Sequence, residues 1–370
     1  WCSPEEVGVN NHVLRVHGGA RLTGEVSITG AKNSALKLMA ICLLAPGKSR
    51  ISNVPEILDV TIMGELLERL GCHVEIDGHQ VSIDVPETPS HRADYDLVRR
   101  MRASINVLGP LVARCGEAEV ALPGGDAIGS RGLDFHVAGL EKLGAEISVE
   151  HGFVIARAPK GLSGAEIFLD FPSVGATENL LTAAVLAKGV TTIDNAAREP
   201  EIIDICQMLN SMGAKIEGIG SNLLHIQGVR TLNGCFHRIL PDMIEIGSFI
   251  GLAAMTKSEI TIKDVSWENL GIIPNVFRRL GIKLERRGDD IYIPAQENYE
   301  IDTFIDGSIL TIYDAPWPGF TPDLLSIILV VATQAKGSVL IHQKMFESRL
   351  FFVDKLIDMG AQIILCDPHR

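Results

Sequence analysis

The sequence has no apolar run long enough to cross a bilayer. Its longest run, residues 324–335, is interrupted by Ser326 and falls well short of the ~20 residues that a membrane-spanning helix needs. Positive charge is also scarce, because 33 Lys and Arg against 46 Asp and Glu give a formal net charge of −13. An acidic molecule is a poor partner for nucleic acid and for anionic membranes. We therefore expect no nucleic-acid partner and no membrane partner, although a local basic pocket would stand out.

Cysteine is sparse and scattered along the chain. There are seven cysteines, an odd number, and no two lie within four residues of each other. This spacing fits neither a disulfide framework nor a zinc knuckle. Reduced thiols are the rule in a cytoplasm. We therefore expect a cytoplasmic protein with free thiols.

One short pattern, Leu or Met followed by Gly and then a short predicted strand, occurs five times. Its glycines are Gly71, Gly144, Gly213, Gly281 and Gly360. A spacing of about 70 residues that is repeated in this way indicates one structural unit used several times.

The third copy shows how one unit is built. Residues 177–188 predict a helix that ends at Gly189, and the β-branched residues 190–193 predict a strand. The acids and the proline of residues 199–201 predict the start of a second helix. Each unit needs neighbours to bury its helices, so we expect closed α/β domains of several units. Six units would divide equally into two domains, and we expect that a sixth unit is missing from this sequence.

Five polar segments are candidates for a functional site, namely residues 29–34, 99–104, 122–131, 313–323 and 346–349. Lys32 and Asn33 stand at a predicted helix N-terminus, a geometry that collects anions, but the second glycine of a Walker A loop is missing. Arg102 precedes the apolar residues 105–112, which fits phosphate or carboxylate binding. The alternatives are a helix cap with a surface lysine, and a solvated basic turn.

The other segments each carry an acid, an arginine or both. The loop at residues 122–131 has three glycines, Asp126 and Arg131, and is either functional or a surface Ω-loop. Asp323 lies where an N-cap or first-turn acid would lie, so helix capping is its alternative. Arg349 either binds an anion or pairs with Glu347.

Six motifs, in this order, resemble the UDP-N-acetylglucosamine enolpyruvyl transferases of the EPSP synthase family. They are Gly-Ala-Lys-Asn at 30–33, Met-Arg-Ala-Ser at 101–104, Leu-Gly-Pro-Leu at 108–111, Pro-Gly-Gly at 123–125, Ser-Val-Gly-Ala-Thr at 173–177 and Asn-Ala-Ala-Arg-Glu-Pro-Glu at 195–201. The resemblance implies an inside-out α/β barrel pair of six βαβαββ units, of which five are present. It implies a three-unit domain at residues 32–240, and an incomplete second domain at residues 1–31 and 241–370.

The resemblance also implies an enzyme that moves enolpyruvate from phosphoenolpyruvate to the 3-hydroxyl of UDP-N-acetylglucosamine and releases phosphate, the committed step of peptidoglycan synthesis. Addition to the enol double bond needs an acid that protonates C3 and a base that takes the hydroxyl proton. Two polyanionic substrates need fixed cations. No metal or other cofactor is required. In the family the sixth unit completes the phosphoenolpyruvate site. The alternative to an active enzyme is therefore a five-unit chain that is inactive or unstable.

Carried over motif by motif, the resemblance gives each candidate residue a role. Lys32, Arg102 and Arg131 would hold phosphoenolpyruvate and its phosphate. Asn33 and Asp323 would contact the sugar, with Asp323 as the candidate base.

The remaining assignments concern the nucleotide and a further anion. Ser173, Val174 and Gly175 would line the diphosphate, and the backbone near Met345 would contact the sugar's amide. Arg349 would bind an anion.

Asp126 stands where the family usually has a cysteine that acts as an acid or becomes alkylated. An aspartate has an unperturbed pKa near ~3.9, so burial or a neighbouring charge must raise the pKa before Asp126 can donate a proton near pH 7. A carboxylate is far less reactive toward an epoxide than a thiolate is. We therefore expect resistance to fosfomycin.

Two alternative functions stay open at this point. One is 5-enolpyruvylshikimate-3-phosphate synthase, which shares the architecture, although the motifs at 30–33 and 195–201 favour the sugar-nucleotide enzyme. The other is a non-catalytic paralogue that binds UDP-N-acetylglucosamine and regulates a partner. Retention of Lys32, Arg102, Arg131 and Asp323 counts against that reading, whereas the missing sixth unit and Asp126 count for it. The oligomeric state is not indicated by the sequence.

Overall fold

A computed structural model describes residues 16–93, 102–122, 132–346, 348–367 and 369–370. The helices within these residues are α1 (Lys32–Ile41), α2 (Leu58–Arg69), α3 (Leu108–Cys115), α4 (Asp134–Lys142), α5 (Val174–Ala184), α6 (Pro200–Ser211), α7 (Met243–Met255), α8 (Ile273–Arg279), α9 (Pro322–Ala332) and α10 (Val353–Asp358). The strands are β1 (Thr23–Ser27), β2 (Gly47–Ser52), β3 (His73–Asp77), β4 (Gln80–Val85), β5 (Arg92–Ala93), β6 (Glu117–Ala121), β7 (Glu146–Glu150), β8 (Phe153–Arg157), β9 (Glu166–Phe168), β10 (Val190–Asp194), β11 (Lys215–Glu217), β12 (Leu223–Gln227), β13 (Phe236–Arg238), β14 (Glu259–Lys263), β15 (Glu285–Arg287), β16 (Asp290–Ile293), β17 (Leu310–Tyr313) and β18 (Val339–His342).

Four sheets of four strands share one strand order. Each has a parallel edge strand, a central strand and an antiparallel hairpin, as in β5-β6-β8-β7 and β9-β10-β12-β11. Helices separate the edge strand, the central strand and the hairpin along the chain, as in β5-α3-β6-α4-β7-β8. The βαβαββ unit that the resemblance implies is therefore confirmed. A fifth, two-stranded sheet pairs β17 with β18 in parallel.

The repeated glycine ends the second helix of each unit. All five have a positive φ between 88° and 107°, a backbone region that glycine adopts without the strain of a Cβ atom. In the first unit the N–H of Gly71 donates to the carbonyl of Glu68, and the N–H of the next residue, Cys72, donates to the carbonyl of Leu67. The other four units repeat this pair of bonds, which is the Schellman motif. The repeated spacing of the glycines therefore reflects one C-terminal helix cap that occurs in all five units.

The prediction of a strand after Gly360 is wrong. In the other units the strand after the glycine pairs with the next strand to form the antiparallel hairpin, as β3 does with β4. Residues 361–365 have no such partner among the described residues and are irregular. An extended segment without a partner strand leaves its backbone groups unpaired, so it gains nothing from being a strand.

Two hydrophobic clusters divide the chain. One contains buried residues between Ala35 and Ile239, and the other contains Ile28 and buried residues between Ile246 and Val331. Strand β1 lies at the edge of the β14-β16-β15 sheet, whereas β13 lies at the edge of the β2-β4-β3 sheet. We propose domain boundaries at residues 32–240, and at 1–31 with 241–370, and the two clusters support them.

The chain therefore crosses between the clusters twice, and the two crossings are hydrogen-bonded to each other. The N–H of Ala31 donates to the carbonyl of Leu240 at 2.9 Å, and the N–H of Asp242 donates to the carbonyl of Thr29 at 3.0 Å. Gly30 permits this close approach, because a Cβ at that position would lie 2.1 Å from the carbonyl oxygen of Asn53. The start of α1 is thereby fixed between the two clusters.

The fifth unit adds a third, small cluster of buried apolar side chains, which Leu329, Leu350 and Val353 form within the described residues. The other buried apolar side chains of β17 and α9 belong to the second cluster. Nearby, Met359 is 83% exposed and Ile364 is 86% exposed.

No helix in the described part of the chain is long and apolar enough to span a membrane.

Candidate functional site

Lys32 and Asn33 form the first turn of α1, directly after the first crossing. No side chain caps this helix and its first turn carries no acid, so the turn presents N–H groups and the positive end of the helix dipole. The Lys32 ammonium makes an ion pair with Asp59, and its backbone N–H donates to Oδ2 of Asp242 at 3.4 Å. A bound anion would therefore compete with Asp59 for Lys32.

A small pocket lies beside Asn33 where the chain crosses between clusters. Its polar lining includes Asn33, Ser34, Glu201 and Asp242. Asp242 accepts hydrogen bonds from the first-turn N–H groups of α7, and burial raises its pKa. The hydroxyl of Ser34 is buried without a hydrogen-bond partner, which is unusual for a buried polar group.

Asp323 and Arg349, both predicted site residues, contact each other. Nη2 of Arg349 donates to Oδ1 of Asp323 at 2.6 Å, and Nη1 donates to the carbonyl of Pro322 at 3.4 Å. The guanidinium also lies 5.3 Å from the ring centre of Phe346. Asp323 therefore has a fixed cation beside it and is also the first-turn acid of α9. Glu347, the other partner considered for Arg349, lies outside the described residues.

The backbone of Met345 is already held by a buried acid. The carboxylate of Asp314, which is fully buried, accepts from the N–H groups of Lys344 at 2.5 Å and Met345 at 3.1 Å. Burial raises the pKa of Asp314 against the lowering effect of these two bonds. The carbonyl of Met345 accepts from Nε2 of Gln343 at 3.1 Å. A sugar amide that contacts the backbone of Met345 would therefore donate to the second lone pair of the Met345 carbonyl oxygen.

Ser173, Val174 and Gly175 form the N-terminus of α5. The hydroxyl of Ser173 is the N-cap and accepts from the N–H of Ala176 at 3.3 Å. The first turn carries no acid, so the neighbouring N–H groups face no negative side chain of their own helix. A helix N-terminus of this kind suits phosphate groups. Gly175 packs closely on the ring of His136, since a Cβ there would lie 3.3 Å from two ring atoms.

The side chains of three predicted site residues lie outside what the structure describes. Asp126 and Arg131 belong to residues 123–131, which are outside the described residues. Arg102 begins a 3-10 helix (Arg102–Val107), but its side chain is outside the description. The assignments of these three residues stay predictions.

A buried charge cluster beside α1 was not predicted. Lys37 on α1, with a side chain only 12% exposed, makes an ion pair with Glu178 of α5 and lies 3.9 Å from Oε1 of Glu201 on α6. Glu199, the N-cap residue of α6, lies two residues before Glu201 in the chain, and its charge contributes to the raised pKa of Glu178. The available signal was Lys37 itself, a cation inside the apolar sequence of α1.

The carboxylates of this cluster hold protons more tightly than ordinary glutamates do. Burial raises the pKa of Glu178 to about 7, against the lowering effect of Lys37. Burial and the charge of Glu201 raise the pKa of Glu199 to about 7. Burial lowers the pKa of Lys37, but the carboxylates around it outweigh that effect and leave the pKa raised. Asp323 also contributes to the raised pKa of Glu201, so the cluster and the second domain share one electrostatic environment.

Within the described ranges, no group of three or more His, Cys, Asp or Glu side chains could hold a metal ion. The predicted site residues that the structure describes lie at the helix N-termini of α1 and α5 and in the Asp323–Arg349 ion pair.

Comparison with known proteins defines the class. Residues 16–367 match the protein family described as EPSP synthase (3-phosphoshikimate 1-carboxyvinyltransferase). The chain belongs to this family. The enolpyruvyl transferase NikO of Streptomyces tendae has the same fold, with a TM-score of 0.83 at 22% identity over 95% of this chain and 82% of NikO. An EPSP synthase of Acinetobacter baumannii has a TM-score of 0.67 at 16% identity, over 88% of this chain and 74% of its own.

Sequence relatives are more specific than the fold. The UDP-N-acetylglucosamine 1-carboxyvinyltransferase of Bacteroides thetaiotaomicron is 58% identical over 362 residues, which cover 96% of this chain and 83% of that relative. The protein of the same name from Treponema denticola is 47% identical over 360 residues, which cover 97% of this chain and 84% of that relative.

Proposed function

We propose that this chain is an enzyme that transfers enolpyruvate from phosphoenolpyruvate to the 3-hydroxyl of UDP-N-acetylglucosamine and releases phosphate. The observation that carries the proposal is that relatives 58% and 56% identical to the chain, over 96% of its length, are named for this transferase. The solved EPSP synthases, at 16% identity, support the fold alone. We also propose that it acts in the cytoplasm, which the free state of the described cysteines supports.

The geometry suits a reaction between two anions. Lys32 and Asn33 stand on the first domain at a helix N-terminus, whereas Asp323 and Arg349 stand on the second domain. In our proposal Asp323 takes the proton of the sugar 3-hydroxyl, and the oxygen of this hydroxyl forms a bond to C2 of phosphoenolpyruvate. An acid, which we assign to Asp126 from its position in the motif, protonates C3. The bond between C2 and the phosphate oxygen then breaks while C3 returns a proton to the Asp126 carboxylate, which restores the C2–C3 double bond. Lys32 compensates the charge of the leaving phosphate.

The ion pair between Asp323 and Arg349 fits a base held in one orientation. Arg349 occupies Oδ1 of Asp323, which leaves Oδ2 to accept the hydroxyl proton. A carboxylate fixed on one side presents its other oxygen in a defined direction, and such positioning accounts for much of an enzyme's rate. Ser173, Val174 and Gly175 would receive the diphosphate at the N-terminus of α5.

The test measures phosphate release from phosphoenolpyruvate with UDP-N-acetylglucosamine, and separately with shikimate 3-phosphate, beside an Asp323→Asn variant. We expect release only with the sugar nucleotide and a loss of at least 100-fold in the variant. Release with shikimate 3-phosphate instead would support the EPSP synthase alternative. Binding of the sugar nucleotide without any release, in a folded chain, would support the non-catalytic paralogue.

A second test addresses Asp126. We expect the chain to keep its activity after incubation with fosfomycin, because a carboxylate attacks an epoxide far more slowly than a thiolate does. The Asp126→Cys variant should become sensitive and should gain the mass of the inhibitor. Inactivation of the unchanged chain with an adduct on Asp126 would contradict this assignment.

A further inference from the structure

Glu199 reaches from the first domain to the loop that leads to Asp323. The backbone N–H of Trp317 donates to Oε1 of Glu199 at 3.5 Å, and the two residues are 118 positions apart. This distance is at the long end for a hydrogen bond. Glu199 belongs to the domain of α6, whereas Trp317 packs on the second hydrophobic cluster.

The loop that Glu199 touches, residues 314–321, is rigid in itself. Its base is closed by the N–H of Ala315, which donates to the carbonyl of Phe320 at 3.0 Å, and its tip by a bond from Gly319 to Pro316 at 2.9 Å. The ring of Trp317 is packed so closely on Gly271 that a Cβ there would lie 2.6 Å from it. A contact at Trp317 is therefore transmitted along the whole loop.

The loop runs directly into α9, in which Asp323 is the second residue. A rigid loop that is displaced at Trp317 moves the helix start with it, and the carboxylate of Asp323 moves too. Misplacement of a reacting group by about 1 Å can lower a rate about 100-fold. Whatever fixes Trp317 relative to the first domain thus fixes the base relative to Lys32 and Asn33.

A contribution to stability does not explain why the carboxylate of Glu199 is buried. Its second oxygen, Oε2, is buried without a hydrogen-bond partner, and an unsatisfied buried polar atom costs about 1–3 kcal/mol. Lys37 is the nearby cation, but it contacts Glu178 and Glu201. A buried carboxylate that is incompletely satisfied points to a use beyond holding the fold together.

We propose that Glu199 is a positioning residue, which holds the 314–321 loop against the first domain and thereby sets the place of Asp323 in the proposed reaction. This inference rests on the proposed function for its effect on rate. The contact between Glu199 and the loop can be measured independently of that function.

The activity test compares Glu199→Ala with Glu199→Gln. The alanine variant removes the acceptor, so we expect kcat to fall about 10- to 100-fold at saturating substrates while the thermal midpoint changes little. The glutamine variant keeps an oxygen at the same place and should retain kcat within about threefold. The matched control is Glu217→Ala, which removes an exposed carboxylate on β11. A glutamine variant as slow as the alanine variant would overturn the proposal, since it would indicate direct proton transfer. An unchanged kcat in Glu199→Ala would overturn it as well.

A fluorescence test examines the contact without turnover. In a chain with Trp1→Phe and Trp267→Phe, Trp317 is the remaining tryptophan, and we expect Glu199→Ala to increase its quenching by acrylamide. Unchanged quenching would overturn the positioning contact whether or not the chain is an enzyme. If the unsubstituted chain releases no phosphate although quenching responds as expected, the proposed function fails while the contact stands.

Discussion

Substitution of Lys37 by methionine should destabilise the protein in a way that depends on pH. Lys37 pairs with Glu178, and both side chains are almost fully buried. Removing one partner of a buried ion pair typically costs about 3–5 kcal/mol, because the other charge is left buried and uncompensated. For a domain of this size, such a loss lowers the thermal midpoint by roughly 6–20 °C.

The pH dependence follows from the protonation of Glu178. Burial raises its pKa from the ordinary 4.5 to about 7, so the folded state binds this proton more tightly than the unfolded state. Stability from this group therefore falls as pH rises from 4.5 to about 7. Without Lys37, which lowers the pKa of Glu178, the pKa rises further and the fall extends above pH 7. We expect Lys37→Met to lose most stability at pH 8 and less than half as much at pH 5.5.

The assay is thermal unfolding followed by circular dichroism at both pH values. The double variant Lys37→Met with Glu178→Leu should recover most of the loss, since an apolar pair can replace a buried ion pair. Lys142→Met, at an exposed position in the last turn of α4, is the matched control. An equal loss at pH 5.5 and pH 8 would refute the reasoning, because it would show that the uncompensated carboxylate is not the cause.

Two further predictions concern packing and buried hydrogen bonds. Gly30→Ala should lower the thermal midpoint by several degrees, because the new Cβ would lie 2.1 Å from the backbone oxygen of Asn53. Gly64→Ala, in the middle of α2, is the control and should leave the thermal midpoint unchanged or raise it slightly. A midpoint unchanged in Gly30→Ala would contradict the close crossing. Asp204→Asn should cost about 1.5–3 kcal/mol in urea unfolding, because the buried carboxylate accepts from His237 at 2.6 Å. Equal stability of Asp204→Asn and the unsubstituted chain would show that the negative charge of Asp204 contributes nothing to stability.

The sequence by itself determined the repeated unit and the ends of its helices. A glycine after Leu or Met fixes a helix stop locally, since only its own φ and the preceding turn are involved. For the same reason the sequence placed Lys32 and Asn33 correctly at the start of α1. The helix predicted over residues 177–188 instead runs over Val174–Ala184 in the structure. The family followed from motifs whose order along the chain is visible without a structure.

Only the tertiary structure decided which distant residues meet. Nothing in the local pattern shows that β1 pairs with the distant strand β14 and β13 with the distant strand β2, or that Arg349 contacts Asp323. Lys37 and Glu178 are 141 positions apart, so their pairing depends on how α1 packs against neighbouring helices. Strand formation after Gly360 was likewise not a local matter, because a strand forms only where a partner strand satisfies its backbone groups.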